Sequence, residues 1–202
     1  MNEEIKTPKG ATQGDAALIN SFLEGNRAAF DQIVLRYKDK MYNLCYCFLD
    51  DHEEANDAAQ EIFIKICRSL KQFKFKSSFS TWLYRIAVNT CRNRLKSADY
   101  RHRRKRVSID NPGVSLDSPG SMEIRDESPS PSIELEKRER SMLIRRAIKS
   151  LPPEQKTVVT LRDIEGLSYD EIAKITGLHL GTVKSKIARA RLDLKDKLKG
   201  VI

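Results

Sequence analysis

The stretch SYDEIAKITGLHLGTVKSKIARARLDL, Ser168 to Leu194, gives the clearest fold signal in this 202-residue chain. Ser168 followed three residues later by Glu171 forms a capping box, which predicts that a short helix begins here. Ala173 is small where two helices would cross, and Gly177 supplies a left-handed residue for the turn that follows. This spacing predicts a helix-turn-helix.

The second helix of this motif has two distinct faces. Its buried stripe is predicted to consist of Val183, Ile187, Ala190 and Leu194. The opposite face carries small and basic side chains, namely Gly181, Thr182, Lys184, Ser185, Lys186, Ala188, Arg189 and Arg191. Small residues let a helix enter the major groove, Arg189 can donate two hydrogen bonds to guanine, and the other cations can meet phosphates. We predict that this helix reads double-stranded DNA. A helical hairpin with a solvated basic face is the alternative.

The overall charge also favours a polyanionic partner. The chain has 37 Lys and Arg residues against 28 Asp and Glu residues, a formal net charge of +9. Nucleic acid is the first candidate for such a surface, and a membrane surface is the second. No apolar run approaches the roughly 20 residues that span a bilayer, and the N-terminus lacks a hydrophobic signal segment. We therefore expect a cytoplasmic protein without membrane insertion.

Nothing in the sequence predicts a metal site, a cofactor or a catalytic centre. The four cysteines, Cys45, Cys47, Cys67 and Cys91, make no metal-binding spacing with one another or with histidine. They are predicted to be buried free thiols. The glycine-rich, zinc-binding and nucleophile motifs of common enzymes are absent from the sequence.

A change in composition divides the chain. Between residues 107 and 136 lie four of the seven prolines and seven acidic residues against one base, which predicts a flexible, acidic linker rich in Ser and Pro. Helical periodicity on both sides predicts an all-α fold of two small domains, residues 15–106 and residues 137–202. Residues 1–14 are predicted to form a flexible tail.

The N-terminal domain is predicted to contain helices near residues 15–24, 27–49, 53–72 and 80–96. In the third of these, the inward positions are Ala55, Ala59, Ile62, Phe63, Ile66 and Leu70. The opposite side is acidic and carries Glu53, Glu54, Asp57, Gln60 and Glu61. An ordinary solvated face is one explanation, since acids favour a helix N-terminus. A docking surface for a basic partner is the other.

The fourth predicted helix contains the stretch FSTWLYRIAVNTCRNRL, Phe79 to Leu95. Its predicted inward face consists of Leu83, Tyr84, Ala87, Val88, Cys91 and Leu95. Its other side carries Trp82, Ile86, Asn89, Thr90 and Asn93, with Arg85 and Arg92 at one edge. An exposed Trp beside amides and guanidiniums suits stacked, unpaired bases, and the basic run that continues to Arg106 suits a phosphate backbone. Alternatively, Trp82 and Ile86 pack under a neighbouring helix.

Five stretches in this order resemble the extracytoplasmic-function group of bacterial sigma-70 factors. They are AAFDQIVLRY, EEANDAAQEIFIKI, FSTWLYRIAVNTCRNRL, SLPPEQKTVVTLRDIEGLSYDEIA and GTVKSKIARAR. The resemblance covers residues 15–198 apart from the linker. It implies a transcription initiation subunit of RNA polymerase that recognises promoters, helps to open them and works in a stress or envelope response.

The resemblance also implies a role for each surface. The acidic side of the third predicted helix, where Asp57, Gln60 and Glu61 match the family pattern, would dock on the β′ clamp helices of core RNA polymerase. The β subunit would be a further contact. Double-stranded −35 DNA would meet the recognition helix, and an anti-sigma factor is an expected partner. Single-stranded −10 DNA, with one base flipped out, would meet the loop and the helix after it. The matching residues there are Phe73, Lys74, Phe75, Lys76, Ser77, Phe79, Trp82, Arg85, Asn89 and Asn93.

This chain departs from the family pattern at two positions, and two other functions compete with the sigma-factor interpretation. Relatives often have Gly in place of Phe75, and Pro or Ser in place of His179. A stand-alone helix-turn-helix repressor or activator is the main alternative. It would need neither the acidic side of the third predicted helix nor the Trp82 surface. An enzyme with a DNA-binding appendage lacks candidate catalytic residues.

Overall fold

A computed structural model describes residues 13–97 and 131–199 of the chain. Within these ranges the secondary structure is helical, with no strand. The N-terminal region consists of α1 (Gln13–Leu23), α2 (Arg27–Leu49), α3 (His52–Ser69), a 3-10 turn (Leu70–Gln72) and α4 (Phe79–Lys96). The C-terminal region consists of α5 (Pro131–Lys149), α6 (Pro153–Val159), a π-helical turn (Thr160–Ile164), α7 (Tyr169–Thr176) and α8 (Leu180–Lys197). The prediction of an all-α fold with two helical regions is confirmed. No helix in the described ranges is long and apolar enough to span a membrane.

Helix α3 is the centre of the N-terminal region because α2 and α4 both pack against it. It begins at Asp51, whose side chain accepts a hydrogen bond of 2.9 Å from the Glu54 backbone N–H. Five of its six predicted inward residues are buried. The sixth, Phe63, is only half-buried, whereas Ala58 is buried although the pattern did not predict it. Contact with two neighbouring helices widens the buried face beyond a single stripe.

The helix-turn-helix has the geometry that the sequence predicts. Ser168 accepts a hydrogen bond from the Glu171 backbone N–H, and the Glu171 carboxylate accepts one from the Ser168 backbone N–H. Gly177 ends α7 with a φ of 74°, in the left-handed region. Val183, Ile187 and Ala190 are buried on α8, and Leu194 is half-buried. Caps and a shared core therefore fix the two helices of the motif relative to each other.

The linker assigned from composition, residues 107–136, lies mostly outside the described ranges. Its last residues belong to α5, which already begins at Pro131. Proline suits the first turn of a helix, where its missing N–H would have no partner. The acidic and Pro-rich composition therefore extends into the start of a helix.

The two helical regions pack against each other, which the sequence did not predict. Helix α4 contacts α7, and α2 contacts α5. One continuous cluster of buried side chains includes Tyr37 and Val88 of the N-terminal region together with Leu161, Ile172 and Val183 of the C-terminal region. We call this contact between the regions the seam.

Candidate nucleic-acid interface

Helix α8 presents an open face of small and basic side chains. Gly181, Lys184, Ser185, Ala188 and Arg189 are exposed, and Thr182 is half-buried. A Cβ atom added at Gly181 would meet nothing within 4 Å, so the first turn of α8 is open to a close neighbour. We call these six residues the recognition face. A helix with so little bulk at its N-terminal end can approach a duplex closely.

The four cations of α8 assigned to DNA differ in their partners. Arg191 donates hydrogen bonds of 3.1 and 2.5 Å to Asp163, which raises the pKa of Arg191. Half-buried Lys186 forms an ion pair of 2.6 Å with Glu154 and lowers the pKa of that carboxyl. Lys184 and Arg189 make no hydrogen bond or ion pair with any residue in the described ranges. The recognition face therefore offers these two cations to a ligand, while Lys186 and Arg191 are paired within their own region.

An aromatic platform lies at the start of helix α4 and consists of Phe79 and Trp82 of this helix together with Phe73, which follows the 3-10 turn. The Trp82 ring lies 5.1 Å from that of Phe73 and 5.9 Å from that of Phe79, measured between centroids. Phe79 is 2% exposed and packs edge-on against Tyr37. Phe73 is 8% exposed. Both phenylalanines, which the sequence assigned to DNA contact, are buried, so their place is beneath Trp82 rather than on the surface.

The polar side of α4 is largely as predicted. Arg85, Asn89 and Asn93 are exposed and make no hydrogen bond with another described side chain. Thr90 was predicted on this side but is 2% exposed, because α3 covers it and Lys65 donates a hydrogen bond of 3.1 Å to its hydroxyl. Trp82 and Ile86 are both half-buried, so each combines a packed edge with an accessible one.

The loop before α4 has a left-handed residue at its centre. Phe75 has a φ of 54°, and its half-buried ring lies 4.8 Å from the ring of Phe73. Lys74 and Lys76 on either side are exposed, and Ser77 donates a hydrogen bond of 3.3 Å to the Ser78 carbonyl. Glycine adopts this conformation without steric cost, so the backbone here fits the Gly that the resemblance leads us to expect at this position. In this chain the Phe75 ring offsets part of the cost by packing on the platform.

The acidic side of α3 is split by Arg94 of α4. Arg94 binds Glu54 at 2.9 Å and Glu61 at 3.0 Å, and Lys65 binds Glu61 at 2.6 Å. Burial alone would raise the pKa of Glu61, but the hydrogen bonds from Lys65 and Arg94 lower it below its ordinary value. These contacts hold α3 to α4, so Glu54 and Glu61 have a structural role whatever else they bind.

The rest of the acidic side is open. Glu53, Asp57 and Gln60 are exposed and have no partner among the described residues. Ile64, one turn after Gln60, is 51% exposed. We call these four residues the acidic face. Sequence reasoning missed Ile64, although an apolar residue off the inward stripe of an amphipathic helix was the available signal.

The cysteines are less uniformly buried than predicted. Cys45 and Cys91 are buried with their sulfur atoms 3.6 Å apart, and this hydrogen bond raises the pKa of Cys45, as does burial. Cys47 is half-buried, and Cys67 is exposed. The prediction of burial is therefore wrong for Cys67, which lies on the outer side of α3. In the described ranges no three His, Cys, Asp or Glu side chains are grouped as a metal site would require.

Two family descriptions match the chain. "Sigma-70 region 2" matches residues 33–101, and "Sigma-70, region 4" matches residues 141–194. The chain is 38% identical over 185 residues to an RNA polymerase sigma-H factor from Pseudomonas aeruginosa, covering 88% of this chain and 90% of that protein. It is 35% identical over 188 residues to an ECF RNA polymerase sigma-E factor from Escherichia coli, covering 93% and 96% of the two chains.

Solved structures of similar fold span both helical regions. The sigma factor RpoE from Bartonella quintana, determined in complex with the anti-sigma factor NepR, has a TM-score of 0.56 and 26% identity and covers 84% of this chain and 96% of its own. CnrH, determined in complex with the cytosolic domain of CnrY, has a TM-score of 0.64 and 22% identity, covering 93% of this chain and 99% of its own. The similarity to CnrH concerns the fold alone.

Proposed function

Because the chain belongs to the extracytoplasmic-function group of the sigma-70 family, we propose that it binds core RNA polymerase and promoter DNA through three separate surfaces. The chain is an RNA polymerase sigma factor, so a stand-alone repressor or activator is not favoured. Sigma-70 proteins are transcription initiation factors rather than enzymes, and we assign this chain no catalytic residue. The three surfaces are the acidic face, the platform with its polar neighbours, and the recognition face.

The acidic face is the observation that carries this proposal. Glu53, Asp57 and Gln60 are exposed and unpaired within the described ranges, on a chain with a net charge of +9. Such a surface contributes nothing to DNA binding, since it repels phosphates. It is suited to a basic protein surface, and the exposed Ile64 adds an apolar contact that a protein partner would bury. We assign it to the clamp helices of the β′ subunit of core RNA polymerase.

We assign the platform and its neighbours to the single-stranded −10 element. Trp82 packs on two buried phenylalanines, and exposed Arg85, Asn89 and Asn93 follow it along α4. A rigid aromatic surface stacks an unpaired base without losing side-chain freedom, and each stacked base contributes about 1 to 3 kcal/mol. The exposed amides of Asn89 and Asn93 further along α4 can hydrogen-bond to the edges of unpaired bases.

We assign the recognition face to the double-stranded −35 element. Arg189 can donate two hydrogen bonds to one guanine, and Lys184 is placed for a phosphate. Gly181 and Ala188 leave room for the duplex to approach the helix backbone. Lys186 and Arg191 contact phosphates only if they exchange the partners that they have in their own region.

An anti-sigma factor is proposed as a further partner. This rests on the complex of the similar sigma factor RpoE with the anti-sigma factor NepR. The seam offers a place for it, since a cleft of about 560 Å³ opens there between residues such as Tyr46, Arg145 and Ile164. Co-purification of the full chain from its native host, followed by mass spectrometry, would identify such a partner.

Replacement of Asp57 tests the polymerase assignment. Asp57→Lys reverses an exposed charge without breaking an ion pair, so the chain should stay folded while its affinity for core RNA polymerase falls about tenfold. Asp57 is a sharper choice than Glu61, because Glu61 also holds α3 to α4. Affinity is measured with fluorescently labelled full-length chain and purified core polymerase.

Asp31→Lys is the matched control for this test. Asp31 is exposed on α2 and makes no ion pair with a described residue, so its reversal changes the net charge equally. If both variants lose the same affinity for core polymerase, the loss is a general electrostatic effect and the assignment of the acidic face to docking is wrong. If neither loses affinity, the acidic face does not bind polymerase.

Run-off transcription tests the function as a whole. Core polymerase with the chain should start transcripts at defined sites in a library of genomic fragments, and polymerase alone should not. Trp82→Ala should reduce transcription most on linear duplex templates and least on templates already unpaired at the −10 element. Absence of chain-dependent transcripts would contradict the proposed function.

A further inference from the structure

Helix α1 carries a buried carboxylate that none of the three proposed surfaces uses. Asp15 is 1% exposed, and one of its carboxylate oxygens accepts a hydrogen bond of 2.7 Å from the Tyr37 hydroxyl of α2. Its other oxygen is paired with the guanidinium of Arg36, the preceding residue of α2. Two consecutive side chains of one helix therefore hold both oxygens of Asp15.

Apolar contacts already attach α1 to the rest of the region. Ile19 of α1 is fully buried, and the Phe22 ring of α1 lies 5.1 Å from the Phe30 ring of α2. Burial of a carboxylate costs free energy even when it is paired, and a well-packed apolar residue often serves stability as well. What Asp15 adds to the apolar contacts is direction, because its hydrogen bond fixes where the Tyr37 hydroxyl lies.

The Tyr37 ring connects this hydrogen bond to the aromatic platform. Tyr37 is 5% exposed, and its ring meets that of Phe79 edge-on, with centroids 5.7 Å apart and planes at 71°. The Phe79 ring in turn lies 5.9 Å from that of Trp82. Edge-to-face rings have a preferred geometry, and a close-packed interior transmits the displacement of one ring to the next. A change at Asp15 therefore reaches Trp82 through two intervening rings.

A second contact leads from α1 to the same platform. Helix α1 packs against the 3-10 turn at Leu70–Gln72, in which Leu70 is fully buried. Phe73 follows this turn directly, and its ring lies 5.1 Å from that of Trp82. Helix α1 therefore supports both phenylalanines on which Trp82 packs, whereas Asp15 itself is buried too deeply to touch DNA.

We propose that Asp15 is a positioning residue for recognition of the −10 element. Through the Tyr37 hydroxyl it fixes the angle of Phe79 and thereby the orientation of Trp82, so that α1 sets the affinity of the platform for unpaired bases. A ring that tilts freely must lose this freedom when a base stacks on it, whereas a braced ring has already lost it. This inference deepens the proposed function of the platform and rests on it.

The fluorescence of Trp82, the only tryptophan, tests the bracing in the absence of DNA. Tyr37→Phe removes the hydroxyl but keeps the ring on Phe79, and Asp15 stays paired with Arg36. Time-resolved fluorescence anisotropy of the folded, free chain should show a larger fast component for this variant than for the parent. Asp15→Ala should increase the fast component by the same route, and the double variant should exceed neither, because both changes remove one hydrogen bond. Asp15→Asn keeps an acceptor for the hydroxyl and should restore the slow motion of the parent.

The complex of the full-length chain with core polymerase tests the consequence for DNA. The probe is the single-stranded, non-template −10 segment of a promoter that run-off transcription has mapped. Tyr37→Phe should weaken affinity for this strand about three- to tenfold, in line with the loss of one hydrogen bond. Affinity for core polymerase and for the −35 duplex should stay within about twofold of the parent, because the acidic face and the recognition face do not depend on this bond.

Tyr42→Phe is the matched control. It also removes a bonded hydroxyl from α2, but the Tyr42 ring packs beside Tyr46 and His52 rather than on the platform. Urea unfolding measures the stability of every variant, and Tyr42→Phe should leave both the motion of Trp82 and the −10 affinity unchanged. An equal loss of −10 affinity in Tyr42→Phe and Tyr37→Phe would reflect a general weakening of the fold and would overturn the proposal.

Two further results would also overturn it. If Tyr37→Phe left the motion of Trp82 unchanged, the hydroxyl would not brace the platform. If Trp82 moved more freely but the −10 affinity stayed the same, the bracing would have no part in recognition. Failure of the proposed function is distinguishable from both, because the parent chain with core polymerase would then bind no −10 strand, while the anisotropy of the free chain would still report the bracing.

Discussion

The two helices assigned to DNA, α4 and α8, are both amphipathic and basic, yet they present their ligands with different surfaces. The recognition face of α8 is made of small side chains and of two cations that have no partner among the described residues, above a conventional core stripe. The outer side of α4 depends on tilted aromatic rings that pack together, of which Trp82 is half-buried while Phe73 and Phe79 are buried. A duplex is read by reaching into a groove, which needs open space. An unpaired base needs a rigid platform, and rigidity comes from burial.

The largest effect should follow from removing the platform's buried support. Phe79→Ala should lower the free energy of unfolding by about 3 to 5 kcal/mol, because the ring is enclosed by Tyr37, Phe73 and Trp82. The matched truncation on α8, Leu192→Ala, should change it by less than about 0.5 kcal/mol, since Leu192 is 62% exposed. Urea unfolding followed by the fluorescence of the only tryptophan, Trp82, measures both. Equal losses of unfolding free energy in the two variants would mean that α4 does not depend on buried support more than α8 does.

This contrast also explains how much of the structure could be predicted. The boundaries of the four N-terminal helices, the capping box of α7 and the core stripe of α8 depend on local periodicity and turn chemistry. The structure agrees with the boundaries to within three residues and buries three of the four stripe residues. The burial of Phe73, Phe79 and Thr90 depends on which helices cover α4, and a helical wheel cannot show this. The seam is a tertiary contact between distant segments, and Tyr84 or Lys156 give no sequence signal of it. Exposed side chains of α4 and α8 were therefore predicted better than the buried side chains that support them.

A smaller effect should separate two arginines on the recognition helix. Arg189→Ala should cost about 1 to 3 kcal/mol of discrimination at one base pair of the −35 element, with unfolding unchanged. Arg191→Ala should leave base preference intact and slightly weaken the fold, because Arg191 is bound to Asp163. Competition binding with duplexes substituted at each −35 position measures the preference. If both variants lost discrimination at the same base pair, Arg191 would have to release Asp163 in order to read DNA. Recognition by α8 would then require an exchange of ion-pair partners, which recognition by α4 does not.

The smallest effect concerns the backbone on which each surface is built. Phe75 has a φ of 54°, in the left-handed region. Phe75→Gly and Phe75→Ala both remove the ring, but only Ala has a Cβ atom that is strained in this conformation. The Gly variant should therefore be more stable than the Ala variant by about 1 kcal/mol. At Gly181, where α8 is helical and a Cβ meets nothing within 4 Å, the order should reverse, and Gly181→Ala should stabilise the fold by about 0.5 to 1 kcal/mol. Urea unfolding of the three variants and the parent decides both signs. A more stable Ala at position 75 would mean that the loop relaxes once the ring is gone, so that the platform and not the backbone fixes its shape.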